Sequence, residues 1–215
     1  MADTVISIPR IDVQRLTLTL VGDSPLVVHR FDEKSKRQML DKQMKKAKGA
    51  KEAKDPWMDF CRSMYWLTPM SEKPTQKDID AAKFGMRCVS FKAAAVGACR
   101  FSDGMKMTEA RGAFHVDGEF AEILGGAPTM REDMVRVGMG TADVRFRGEF
   151  TNWRCVLTVS YNANAISAEQ IINLFNLAGF HQGVGEMRPE KTGFGYGRYH
   201  VATDADEIAP KKKRG

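Results

Sequence analysis

The residues best suited to chemistry in this chain lie near its carboxyl terminus, between Gly183 and Val201. Five glycines, Gly183, Gly185, Gly193, Gly195 and Gly197, punctuate the run. Without a Cβ the backbone there can take positive φ and approach another chain closely, leaving amides free to meet anionic oxygens. Arg188, Lys191 and Arg198 add cations, while Phe194, Tyr196 and Tyr199 add flat faces on which bases stack. The combination reads as a loop facing a nucleic acid; a glycine-rich hairpin with a solvated surface is the plainer alternative. Phosphate-enzyme motifs do not fit. A Walker frame starting at Gly185 places Glu190 where the glycine before the Lys-Ser/Thr pair belongs. Gly193, Gly195 and Gly197 give G-x-G-x-G, with too little chain after them for a dinucleotide-binding βαβ unit. The histidines, His29, His115, His181 and His200, show no metal spacing and no adjacent cysteine or acid pair, so no cofactor or metal is expected.

Charge placement points the same way. The net charge is +6, and nine cations against two carboxylates lie between Lys34 and Lys54. Four more cations, Lys211 to Arg214, end the chain, so everything else sums to −5. Positive charge concentrated over a mildly acidic body favours a polyanion, and a solvated helix face with a disordered tail is the competing reading. Cys61, Cys88, Cys99 and Cys155 are far apart and form no C-x-x-C pair, which suggests reduced core thiols. The chain has no 18-residue apolar run and no leader-like amino terminus, so a cytoplasmic protein without a membrane partner is expected.

These residues need elements to position them. Val13 to Val21 alternates Leu16, Leu18 and Leu20 with threonines, the period of a strand with one buried face. The basic segment that follows reads as a mobile arm or marginal helix, with Met39, Leu40 and Met44 as a thin apolar stripe. Asp55-Pro56 predicts a helix start, and Phe84 to Val89 predicts a strand ending at Ser90 as N-cap of an alanine-rich helix from Phe91 to Arg100. Lys92 in its first turn opposes the helix dipole, which suggests service to an external anion. Short strands are expected at Ala113 to Val116 and Ala121 to Leu124, and a loop at Met130 to Met134. Val144 to Phe150 and Trp153 to Tyr161 read as a hairpin joined by Thr151-Asn152. Ser167 to Gln170 has the form of a capping box, launching a helix from Ala168 to Ala178 with Gly179 as its stop, and Phe194 to Val201 is the last strand. The order is that of an α+β, ferredoxin-like βαββαβ domain over residues 1–202. A basic insertion at about 30–85 follows the first strand, an irregular one lies at about 101–140, and 203–215 is a disordered basic tail.

Three stretches in the same order resemble the RAMP superfamily of CRISPR proteins, most of all its Cas7 backbone subunits. They are Leu20 to Val28 after the opening strand, Val89 to Arg100 with its small residue, lysine and terminal arginine, and the glycine run. The entry Cys88-Val89-Ser90-Phe91 departs from that family's glycine-containing pattern. The resemblance implies a modified RNA-recognition palm that polymerises side by side along single-stranded RNA or DNA, with other CRISPR-type subunits or as a stand-alone phage relative. It implies backbone contacts from Lys92, Arg100, Arg188, Lys191 and Arg198, with Phe194 and Tyr196 nearby. It makes the segment carrying Lys34, Lys36, Arg37, Lys42, Lys45 and Lys46 a thumb-like arm that meets nucleic acid or the next subunit. A ribonuclease of the Cas6-like branch would use a histidine, His29 or His181, and another branch cleaves with an aspartate in the region of Asp32. A binding protein is preferred here over the endoribonuclease, and over a viral structural subunit free of nucleic acid.

Overall fold

The computed structural model describes residues 10–31, 33–46, 53–137 and 140–208. In chain order the first elements are β1 (Val13–Gly22), β2 (Leu26–Val28), α1 (Glu33–Gln43), α2 (Pro56–Arg62), β3 (Tyr65–Trp66) and α3 (Gln76–Ala81). Then come β4 (Phe84–Arg87), α4 (Cys88–Ala98), α5 (Met107–Ala113), β5 (Phe114–Val116), β6 (Phe120–Glu122), β7 (Thr129–Val137) and β8 (Thr141–Phe150). The chain continues through β9 (Arg154–Asn162), α6 (Ala168–His181), α7 (Pro189–Thr192), β10 (Tyr199–Val201) and α8 (Asp204–Ile208). Asp32 and the basic residues Lys48, Lys51 and Lys211 to Arg214 lie outside the described residues, as does the side chain of Lys34.

The principal sheet runs β10-β1-β9-β5, every neighbour antiparallel. Taken by chain position these are the fourth, first, third and second strands, with α4 between the first two and α6 between the last two. The alternation read in β1 produces this layer: Leu18 and Leu20, with Cys155, Leu157, Val159 and Tyr161 of β9, turn inward under the helices. Phe91 and Ala95 of α4 and Ile171, Leu174 and Phe175 of α6 close the core from above. Each fully buried large side chain contributes about 1.5–3 kcal/mol, so this layer carries much of the stability. All four cysteines are buried and free. No helix among the described residues is long and apolar enough to cross a membrane.

Two smaller sheets, β2-β8-β7 and β3-β4-β6, flank the first. Met130 to Met134, expected as a loop, is the middle of β7, which pairs with β8 from Thr129↔Glu149 to Val137↔Thr141. Its period was masked because the face turned inward is charged: Arg131 and Asp133 meet Arg147 and Glu149 in ion pairs of 2.8–3.2 Å. The expected hairpin across Thr151-Asn152 is likewise not formed. The chain there leaves one sheet for another, because Trp153 is buried and its indole donates to the Ser24 carbonyl at 2.8 Å, pinning the crossing beside Gly22.

Helix ends follow local chemistry with two exceptions. Asp55 caps α2 through its carboxylate and Ser167 caps α6 in a complete capping box. Ser90, however, lies inside α4, which starts directly from β4 with Arg87 at the N-cap position and no side-chain cap. Gly179 does not stop α6; it lies within the helix against β10, where a Cβ would stand 1.7 Å from the Tyr199 carbonyl oxygen. The last strand is only Tyr199–Val201, and Asp204–Ile208 of the expected tail is helical. Among its described side chains α1 supplies none to the core; Met39 and Leu40 on it, and Met44 just after it, are exposed.

Candidate nucleic-acid interface

The alanine-rich helix and the glycine run meet on the same side of the principal sheet. Small residues on α4 permit this: Gly97 packs so closely on Gln182 that a Cβ would lie 2.9 Å from the Gln182 Oε1. The run is then tied down by backbone bonds, Glu186 N–H to Val27 O at 2.8 Å, Val184 N–H to Gly197 O at 2.9 Å and Gly197 N–H to Pro25 O at 2.8 Å. Gly185 and Gly197 both require glycine, with φ +79° and +65° and Cβ sites only 2.5 Å from the Val27 and 1.9 Å from the Val184 carbonyl oxygens. Between helix and run opens a cleft of about 410 Å³. Val28, Met86 and Met107 wall it, and Arg100, Arg111 and Arg188 are among its lining residues, together with Glu186 and Glu190.

The cations are unequally available. Arg188 is held by Gly185 O at 3.0 Å and the Glu190 carboxylate at 2.8 Å, and Lys191 by both oxygens of Glu186 at 2.8 and 2.6 Å. Burial pushes the Glu186 carboxyl up, but Lys191 and the charges of Arg147 and His29 outweigh it and hold the group below the usual carboxylate range. Arg100 donates Nε–H to Gly97 O at 3.1 Å. Among the described residues neither Arg100 nor Arg111 has a carboxylate partner. Arg198 donates to Gly195 O at 3.3 Å and does not line the cleft.

Lys92, expected as an outward anion ligand, is engaged within the fold. Its ammonium donates to Arg111 O and meets His115 Nδ1, both at 3.0 Å, over the Phe114 ring. Satisfying those groups turns it toward α5 and β5. The aromatic faces also divide: Tyr199 is fully buried, Tyr196 lies 4.7 Å under the Arg131 guanidinium and accepts from it at 2.9 Å, and Phe194 alone of the three is exposed. The open face of the principal sheet, with Thr17, Thr19, Val156, Thr158 and Ser160, presents no aromatic ring from β1 or β9. Lys36, Arg37, Lys42, Lys45 and Lys46 are exposed on or just after α1, Lys46 paired with Asp41 at 3.1 Å, and none lines the cleft.

The candidate catalytic histidines are not brought together. His29 lies on the cleft wall with its Nδ1 buried and unpartnered, and burial, then Arg147, holds its pKa below the ordinary value. His181 is stacked 4.2 Å from Phe101, with Phe180 edge-on at 4.9 Å. His200 is clamped by Asp23 at 2.6 Å and Asp206 at 3.2 Å; burial opposes its charge, but the two carboxylates raise its pKa. Among the described residues no three His, Cys, Asp or Glu side chains converge as a metal ion requires. Arg111 was missed because nothing in the spacing of a short helix at 107–113 signals that it turns toward α4.

No protein-family model matches the chain, and no curated protein matches it. Among solved structures it is similar to the crystal structure of Cmr6 from Pyrococcus furiosus, at a TM-score of 0.45 and 11% identity, over 89% of this chain and 98% of that one.

Proposed function

We propose that the protein binds single-stranded nucleic acid, RNA by preference, in the cleft between α4 and the glycine run, and that copies assemble side by side along the strand as in the Cas7-like RAMP reading. The fold we assign is the ferredoxin-like βαββαβ palm, whose strand order the principal sheet follows. The observation that carries the function is the convergence of α4 and the glycine run on one cleft lined by three arginines. Arg100 and Arg111 reach phosphates without first breaking an ion pair. The exposed cations of α1 supply a second, looser contact, with the strand or with a neighbouring copy. The protein acts without catalysis in this reading.

The test is nucleic acid co-purifying at low salt, and the salt dependence of binding to a single-stranded oligonucleotide. Each lost phosphate contact lowers the slope of log K against log salt by about 0.7. Replacing Arg100, Arg111 and Arg188 together by Ala is expected to weaken binding and flatten that slope. Unchanged affinity and slope would exclude the cleft. Replacing Arg188, Lys191 and Arg198 together gives a smaller loss, since two of the three are neutralised within the run.

His29 on the cleft wall favours one second reading, an endoribonuclease using its neutral imidazole as a base. Cleavage of single-stranded RNA by the wild type and its loss in His29→Ala would establish that reading, and no cleavage of RNA bound in the cleft would remove it.

A further inference from the structure

We infer that Phe101 and Phe180 form a base-stacking platform at the mouth of the cleft, taking one or two unpaired bases of the bound strand; this rests on the nucleic-acid reading above. The two rings flank His181 where the short 3-10 turn after α4 meets the end of α6, Phe101 parallel to the imidazole at 4.2 Å and 16°. Both phenylalanines are turned to solvent, 47% and 64% exposed, and so are available to a flat partner. Arg100 and Gln182, the immediate chain neighbours of Phe101 and His181, line the cleft, so the platform continues it.

Size and electrostatics select a base as the occupant. At about 150–250 Å² per aromatic side chain, the two exposed fractions amount to roughly 200 Å². A stable protein interface needs about 800 Å² per partner, whereas a nucleobase covers an area of the ring-stack kind. The ends of two helices also carry partial negative charge, which disfavours a phosphate directly over the rings and leaves it to Arg100 beside them. The Phe101 and His181 rings are already stacked, and the half-exposed Phe101 can extend that stack by one more flat aromatic group.

The experiment uses the full chain, a fluorescein-labelled oligoadenylate and the same strand with abasic residues. The wild type is expected to bind the oligoadenylate more tightly than the abasic strand. Phe101→Ala with Phe180→Ala should lose that preference, weakening oligoadenylate at least about 5-fold while abasic binding and its salt slope stay unchanged. Phe101→Trp with Phe180→Trp should retain the preference, which separates stacking from misfolding. Wild-type binding with no base preference, or a preference that survives the alanine pair, would overturn the platform while leaving the cleft reading intact. Binding of neither strand would overturn both. A changed sedimentation coefficient of the alanine pair with unchanged affinity would assign the rings to a protein contact and overturn the proposal.

Discussion

The helix α1 and the cleft are both basic, and they are built in opposite ways. α1 sits in the stretch holding nine of the chain's 33 lysines and arginines, yet none of its described side chains reaches the core, and Met39, Leu40 and the following Met44 are left in water. The cleft has few cations, but each is mounted on a fixed stretch of backbone: Arg100 on the turn closing α4 and Arg111 within α5, both elements with buried residues, and Arg188 on the glycine run that backbone bonds tie to β2. Charge density and positional precision are therefore separated in this molecule. In the proposed reading, the exposed cations of the arm would raise the local concentration of a polyanion and the cleft would decide how the strand lies.

The contrast is broken most severely through the backbone. Gly185→Ala combines a left-handed φ with a Cβ 2.5 Å from the Val27 carbonyl oxygen, so the run must lift off β2. We expect a loss of about 3 kcal/mol, read as a fall in Tm of roughly 6–12 °C. Met39→Ala on α1 should stay within about 0.5 kcal/mol of wild type. Next in size is charge reversal. Arg100→Glu with Arg111→Glu should weaken single-strand binding by about 10-fold or more, by fluorescence anisotropy, without lowering Tm. Lys42→Ala with Lys45→Ala should cost less affinity but lower the salt slope by about 1.4, two phosphate contacts' worth, if α1 touches the strand. An unchanged slope would assign α1 to contacts between copies.

The smallest effect is in pH. His200 has a raised pKa, so its clamp to Asp23 and Asp206 is fully present below pH 6.5 and is lost as pH rises through the higher folded value. His29 has a lowered pKa, so its contribution is present above 6.5 and is lost as pH falls through the lower folded value. Thermal melts of His200→Asn should therefore approach wild type as pH rises above neutrality, and those of His29→Asn should approach it in mild acid. Reversed windows would contradict the assigned environments.

What the chain disclosed in advance followed its apolar periods. β1, β9 and α6 were readable because alternation and the capping box at Ser167 record burial directly. β7 was not, since Arg131 and Asp133 occupy its inward positions and only long-range pairing with Arg147 and Glu149 makes that tolerable. Trp153 hid the change of sheet for a related reason: its partner, Ser24, is 129 residues away. In the candidate site, the glycine run and Arg100 after α4 stand out by residue type, but local composition does not tell a free cation from one already paired. Lys92 and Lys191 look like ligands in sequence and are occupied by Arg111 O and Glu186 in the fold. Phe101, Phe180 and Arg111 carry no local signature, because their significance arises where elements distant in sequence converge.

The most direct test of the cleft is photo-crosslinking of single-stranded RNA containing 4-thiouridine to the intact protein, with the attachment sites mapped by mass spectrometry. The account predicts crosslinks in peptides spanning α4 to Phe101 and in the glycine run, with α1 labelled less and losing its signal first as salt rises. Crosslinks confined to the open face of β1 and β9, or to α1 alone, would contradict it.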